Sequence, residues 1–174
     1  MKAIAVTGRS ETGKTTLIRG LIEELGRRGI VAAVVKHCGH DFELGAEDKD
    51  SAIFLKAGAL MVALAAPERT AFIRKTQEYP SDLILASACE GADLVIIEGG
   101  RADESIPKIE VLRKGVSEDL RTPIRELKAV VADFAPITPA SIPVFSPRQL
   151  RDIADFIARN SCDLPGEKAV DHEG

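Results

Sequence analysis

The sequence predicts a three-layer α/β fold, a mostly parallel sheet with helices on both faces, and three observations carry that prediction. Short apolar runs alternate with a helix-period stretch from the start of the chain, as in strand–helix–strand units. The first run, Ala3-Ile4-Ala5-Val6, opens onto Gly8-Arg9-Ser10-Glu11-Thr12-Gly13-Lys14-Thr15. A later run, Leu94-Val95-Ile96-Ile97, ends in Glu98 and two glycines. The eight-residue segment has the spacing G-x-x-x-x-G-K-T between a strand and a helix, the P-loop pattern, so the expected architecture is a P-loop NTPase fold.

Each P-loop position has a physical reason. Gly8 and Gly13 let the backbone take left-handed angles and approach a ligand, so consecutive N–H groups from Ser10 through Thr16 can face an anion. The helix that follows adds unpaired N-terminal donors and the positive end of its dipole. Lys14 offers a point charge to the β- and γ-phosphates, and the Thr15 hydroxyl is placed to ligate Mg²⁺.

Taken in order, residues 2–7 read as a buried strand. From Lys14 to Arg28 the apolar positions Leu17, Ile18, Leu21, Ile22 and Leu25 form one helical stripe, with Gly29 placed to end it. Ile30 to Val35 reads as a central parallel strand covered on both faces, completing a right-handed βαβ unit. Lys36-His37-Cys38-Gly39-His40-Asp41-Phe42 leaves that strand at its C-terminal end, the edge where α/β sheets bind ligands. Asp50 or Ser51 is a candidate cap for a helix to Ala57 closed by Gly58. Ala59 to Ala65 is a third apolar run, and Arg69 to Arg74 a weakly periodic strand candidate. Ser81 is a candidate cap for a helix reaching Cys89. Asp93 to Gly100 holds a buried strand. Ile106 to Leu112 alternates apolar and polar residues, the pattern of a half-exposed edge strand. Residues 113–126 read as a charged loop with a helical turn. Two further strands follow at Leu127–Ala132 and Ile142–Phe145. Pro147 begins a last helix with Leu150, Ile153, Ala154, Ile157 and Ala158 on one face. Residues 1–160 make one nucleotide-binding domain in this reading, and 161–174 a frayed tail.

Composition narrows the partners. The 174 residues carry a formal net charge of −4 and 4% aromatic residues, so neither a basic footprint nor stacking platforms for nucleic acid are expected. No apolar run reaches the roughly 18 residues of a membrane helix, and the first ten residues already form strand and P-loop, so a cytoplasmic protein is expected. Cys38, Cys89 and Cys162 are odd in number and lack C-x-x-C spacing, unlike a disulfide framework or a four-cysteine metal site.

Glu98 ends a hydrophobic strand beside a P-loop, the Walker B arrangement, whose carboxylate reaches Mg²⁺ directly or through water. Asp41 is either a second metal ligand or water-orienting residue, or an ordinary loop aspartate. Asp48 and Asp50 are weaker candidates on the same loop. His37, Cys38 and His40 cluster imidazole and thiol ligands without a fourth at recognisable spacing, so phosphate or substrate contacts by Lys36, His37 and His40 compete with a metal role. Asp133 ends the strand Ala129-Val130-Val131-Ala132, where guanine-specific P-loop proteins place an aspartate against the base, although the full N-K-x-D pattern is absent.

Gly8 through Thr16, Lys36 through Phe42, Lys49-Asp50-Ser51, Ala57-Gly58-Ala59, Leu94 through Gly99 and Pro107-Lys108-Ile109-Glu110-Val111 occur in this order. Together they resemble the molybdopterin-guanine dinucleotide biosynthesis protein B family over roughly residues 1–150. The resemblance implies a GTP-binding, weakly GTP-hydrolysing homodimer that assists the guanylyltransferase attaching GMP to molybdopterin. It also implies kinship with the dimeric P-loop class of dethiobiotin synthetase and the nickel-insertion GTPases, and Thr15, Asp41 and Glu98 match the Mg²⁺-holding positions of dethiobiotin synthetase. Lys14 and Asp41 would be the catalytic groups, and Arg9 stands where dimeric relatives carry a lysine that reaches the partner's site. The chain departs from the family at Glu11, where a small residue or glycine is usual, and at Cys38, where threonine is usual. A P-loop kinase or ATP-dependent ligase for a small metabolite and a metal-delivery GTPase are the competing classes.

Overall fold

The computed structural model describes residues 1–38, 49–74, 89–99 and 102–164. The chain folds as two compact units, residues 1–37 with 81–174 and residues 38–80.

The larger unit is built on a sheet of strands β1 (Lys2–Thr7), β2 (Ala32–Lys36), β5 (Leu94–Glu98), β6 (Lys108–Leu112), β7 (Leu127–Ala132), β8 (Val144–Phe145) and β9 (Cys162–Asp163). Its order is β2-β5-β1-β6-β7-β8, every pair along that path parallel. β6 pairs with the C-terminal half of β1, Ala5 to Thr7, while the antiparallel β9 pairs with Lys2 and Ala3. The stretch after Asn160, expected to be frayed, therefore begins with a paired strand.

Helix α1 (Lys14–Arg27) and helix α3 (Leu150–Asn160) lie together on one sheet face. Leu17, Ile18, Leu21 and Leu25 pack with Ile4, Val6, Ile96, Ile109 and Val111 and with Ile153, Ala154 and Ile157 of α3. Each Leu, Ile or Val among these contributes about 1.5–3 kcal/mol through removal from water. Gly20 of α1 faces the end of the Leu150 side chain of α3, and a Cβ there would come within 2.8 Å of Leu150 Cδ1. Gly29, at φ 74°, ends α1 as expected. The opposite sheet face carries two apolar clusters, one around Ala3, Ala5, Val95, Ile97 and Ile106, the other around Leu112, Leu127 and Val130.

The smaller unit contains helix α2 (Lys49–Lys56) and the antiparallel hairpin of β3 (Met61–Ala66) and β4 (Arg69–Arg74). Phe54, Leu60 and Phe72 are exposed on it.

Several expectations need correction. Ile22 lies at the rim of the α1 stripe, 37% exposed, because the four-residue core stripe faces the sheet without it. Ala158 is likewise exposed, and Phe156 instead meets Phe145 edge to face, centroids 5.4 Å apart. α3 begins at Leu150 rather than Pro147. The strand after α1 is not central: β2 ends the described sheet and leaves Val34 exposed. Conversely, β6 is interior, between β1 and β7, with all five residues buried. Its polar alternates Lys108 and Glu110 are satisfied by an ion pair and by backbone N–H groups, so alternation did not mean solvent. α2 starts at Lys49, which puts Asp50 and Ser51 inside the helix, not at its cap. Residues 113–126 form the loop expected, with a single helical turn in which the Leu127 N–H donates to the Pro123 carbonyl oxygen at 3.1 Å. The helix expected from Ser81 falls almost wholly outside the described residues.

The α1 burial pattern predicts that Leu21→Ala lowers unfolding free energy by about 2–5 kcal/mol in chemical denaturation. Ile22→Ala is expected to cost under about 1 kcal/mol in the same measurement. Equal losses would contradict the packing described.

Candidate functional site at the C-terminal edge of the sheet

The parallel order fixes the site. β1 stands between β5 and β6, so the turn from β1 into α1, Glu98 at the end of β5 and Arg113 just past β6 emerge at one edge. At Gly8, φ is 132° and a Cβ would lie 2.5 Å from the Val111 carbonyl oxygen, so the loop passes β6 with no room for a side chain. Gly13, at φ 97°, caps α1 in the left-handed region and provides no side-chain bond to the helix end. The first N–H groups of α1 consequently remain available to an anion.

Glu11 is the one described non-glycine residue with positive φ, at 64°. That explains why glycine suits this position: a left-handed angle costs a side-chain-bearing residue roughly 1 kcal/mol. Glu11 is exposed, and its carbonyl oxygen accepts a hydrogen bond of 3.2 Å from Nη1 of Arg113. Inside the loop, Thr12 Oγ1 and Lys14 Nζ donate to the Arg9 carbonyl oxygen at 3.0 and 2.6 Å. Burial pushes the Lys14 ammonium below the usual lysine range; Glu98 draws it back up and Lys36 lowers it further.

Thr15 and Glu98, assigned together from sequence, do come together. Thr15 Oγ1 donates to Glu98 Oε1 at 3.4 Å, and Lys36 Nζ lies 3.7 Å from Glu98 Oε2. A hydroxyl and a buried carboxylate side by side form an oxygen donor set suited to a hard cation such as Mg²⁺. Gly99, at φ 130°, turns the chain away from β5 close against His37, whose N–H donates to the Glu98 carbonyl oxygen.

These groups border a cleft of about 770 Å³. Ser10, Gly13, Lys14, Thr15 and Thr16 line it, as do Lys36, Glu98, Arg113 and Lys114. Among the described residues that line it, Lys14, Lys36, Arg113 and Lys114 stand with Glu11 and Glu98, a cationic balance suited to a polyphosphate. Gly8 and Thr12 belong to the loop without lining the cleft, Gly8 seated against Val111 and Thr12 bonded to Arg9. Arg113 and Lys114 were not identified from sequence. They belong to no spaced motif, and only their place directly after a strand of the parallel sheet marks them.

Asp133 follows β7 and accepts a 2.9 Å hydrogen bond from the Lys114 N–H through Oδ1. It also borders a second hollow, of about 510 Å³, along α1 with Thr16, Arg19 and Pro147. Asp41, His40 and Asp48 lie outside the described residues. Among the described residues, no group of three or more His, Cys, Asp or Glu side chains gathers as a metal site, and no helix is long and apolar enough to cross a membrane.

Comparison with known proteins agrees with this geometry. The family model for molybdopterin guanine dinucleotide synthesis protein B (MobB) matches residues 3–133. The molybdopterin-guanine dinucleotide biosynthesis adapter protein of Haemophilus influenzae is 35% identical over 158 residues, covering 88% of this chain and 86% of that protein. Its namesake from Escherichia coli is 33% identical over 160 residues, covering 88% and 90%. The crystal structure of Bacillus subtilis MobB superposes with a TM-score of 0.71 at 22% identity, covering 94% of this chain and 100% of that one, a likeness of fold. A P-loop at the edge of a parallel sheet, a model match over most of the chain and relatives above 30% identity together make this chain a member of the MobB family.

Proposed function

We propose that this protein is a GTP-binding accessory protein in molybdopterin guanine dinucleotide biosynthesis, acting in the cytoplasm as a homodimer beside a guanylyltransferase, with slow Mg²⁺-dependent GTP hydrolysis. The observation that carries the nucleotide assignment is the cationic cleft over an uncapped α1 N-terminus, with Thr15 and Glu98 in contact at its floor. In this reading the backbone N–H groups from Ser10 to Thr16, together with Lys14, hold the phosphates. Lys14 exchanges the Arg9 carbonyl for the β/γ-phosphate oxygens. Thr15 and Glu98 hold Mg²⁺, which supplies charge neutralisation for phosphoryl transfer. Asp41 joins them as a metal ligand or water-orienting group on the strength of its sequence position.

The base is assigned to the hollow beside Asp133. Guanine presents N–H donors on its N1 and exocyclic amine, which a carboxylate accepts, whereas adenine offers an acceptor at N1. Exposed Phe54, Leu60, Met61 and Phe72 on α2 and the hairpin support the homodimer, because apolar surface of this kind seeks a partner. The names of the relatives, adapter proteins of molybdopterin-guanine dinucleotide biosynthesis, support the pathway and an enzyme partner in it.

Calorimetric titration is expected to show Mg²⁺·GTP binding at least about tenfold tighter than Mg²⁺·ATP, and Lys14→Ala is expected to weaken GTP by a similar factor or more. Equal or tighter ATP binding would overturn the guanine assignment. Asp133→Asn keeps an acceptor for the Lys114 N–H but replaces the other oxygen with a donor. It is expected to reduce the GTP-over-ATP preference about tenfold, the worth of one hydrogen bond to the base, with melting temperature unchanged. Glu11→Gly relieves the left-handed strain and removes a negative charge at the cleft. It is expected to raise stability by up to about 1 kcal/mol and to tighten GTP several-fold; weaker GTP binding would refute the charge argument.

A further inference from the structure

On the sheet face opposite α1, the two apolar clusters are separated by a strip of buried polar groups that the nucleotide site does not use. Glu110, wholly buried, accepts N–H bonds from Arg121 at 3.0 and 3.1 Å and from Thr122 at 2.9 Å. Thr122 Oγ1 in turn lies 2.8 Å from Thr7 Oγ1, directly before the P-loop. Buried Lys108 pairs with buried Glu126 at 2.9 Å and also donates to the carbonyl oxygens of Asp103 and Ile106. Segment 121–126 is thereby pinned to the sheet at both ends. Beneath it lies a hollow of about 480 Å³, bordered by Gly8 and Arg9 at the root of the P-loop and by Lys108, Arg121 and Arg125.

Stability alone does not account for this strip. Buried ion pairs commonly break even or lose against apolar packing, and apolar side chains flank it on both sides. The charge balance of the hollow points to its ligand. The Lys108 charge is met by Glu126, Arg125 is held by Glu104 and Glu126, and the Glu110 carboxylate is filled by N–H groups. Among the described residues, Arg9 and Arg121 have no ion-pair partner. Two forked guanidinium groups at one cavity suit the tetrahedral oxygens of a phosphate. The volume is that of a small-molecule site.

We propose that this hollow is a second anion site, on the far side of the P-loop root from the nucleotide cleft, that takes the phosphate monoester of a small polar molecule. Gly8 and Arg9 border it, so its occupant would lie next to the phosphate loop. Neither its lining nor its ligand class depends on which nucleotide the cleft takes.

The test uses phenyl phosphate as probe, titrated by calorimetry at low salt into the full chain and into Lys14→Ala, which disables the phosphate loop. Saturable binding is expected in both, about tenfold weaker in Arg121→Gln, the effect of removing one charge-assisted hydrogen bond. Arg121→Gln retains the backbone N–H that Glu110 accepts, so its melting temperature and GTP affinity should match the parent's. Binding that disappears in Lys14→Ala yet survives Arg121→Gln would place the anion in the phosphate loop and overturn the proposal. Absence of saturable binding, or benzoate binding as tightly as phenyl phosphate, would overturn it equally. Because the Lys14→Ala arm is read without nucleotide, failure of the GTP assignment leaves this outcome interpretable.

Discussion

The phosphate edge depends on how closely Gly8 lies against the Val111 carbonyl. A hypothetical Cβ at Gly8 falls 2.5 Å from that oxygen, so the loop is seated by β6 itself. Arg113, two residues beyond, then reaches back to the Glu11 carbonyl and clasps the crest of the same loop. Asp133 holds the next N–H, that of Lys114. The loop is therefore shaped from three consecutive strands of the sheet, β1, β6 and β7, and its preorganisation comes from tertiary contacts as much as from its glycines. A cradle held in this way has little ordering left to do when an anion arrives, and this is the condition under which backbone N–H groups bind tightly.

What could be read from the sequence was whatever local chemistry dictates. The P-loop, the hydrophobic strand ending at Glu98 and the stop at Gly29 follow from spacing, and the structure brings Thr15 and Glu98 into contact as that spacing implied. Readings failed where a residue's environment is set by distant chain. Lys108 and Glu110 look like the wet side of an edge strand until Glu126, Arg121 and Thr122 arrive from the following loop to satisfy them. Val34 looks like core, yet the described sheet ends at β2. Arg113 and Lys114 could not be singled out because their role arises from strand order, which places the end of β6 beside the P-loop. Helical period identifies Leu21 and Ile22 equally well, and only the direction of the sheet distinguishes them.

Glu11 illustrates a local rule set against a global one. The crest takes a left-handed angle, and the sequence provides a charged residue there that must bear the backbone strain and stand at the cationic cleft. Its exposure limits the electrostatic cost, since a solvated carboxylate repels weakly. The Arg113 bond to its carbonyl oxygen offsets part of the strain by fixing the peptide in place. Tolerance at this position comes from the surroundings rather than from the residue.

The strand order also has a consequence for synthesis of the chain. β1 precedes all of its neighbours, which are Leu94–Glu98, Lys108–Leu112 and Cys162–Asp163. An apolar strand leaving the ribosome thus waits for roughly a hundred further residues before its hydrogen bonds can close, and contacts so far apart in sequence form slowly. The last described strand, β9, settles beside β1, where the Leu164 N–H meets the Met1 carbonyl oxygen, so two segments far apart in sequence close this edge of the sheet together. Until those partners are present β1 is an apolar strand with unpaired backbone groups, the kind of edge that favours aggregation over folding.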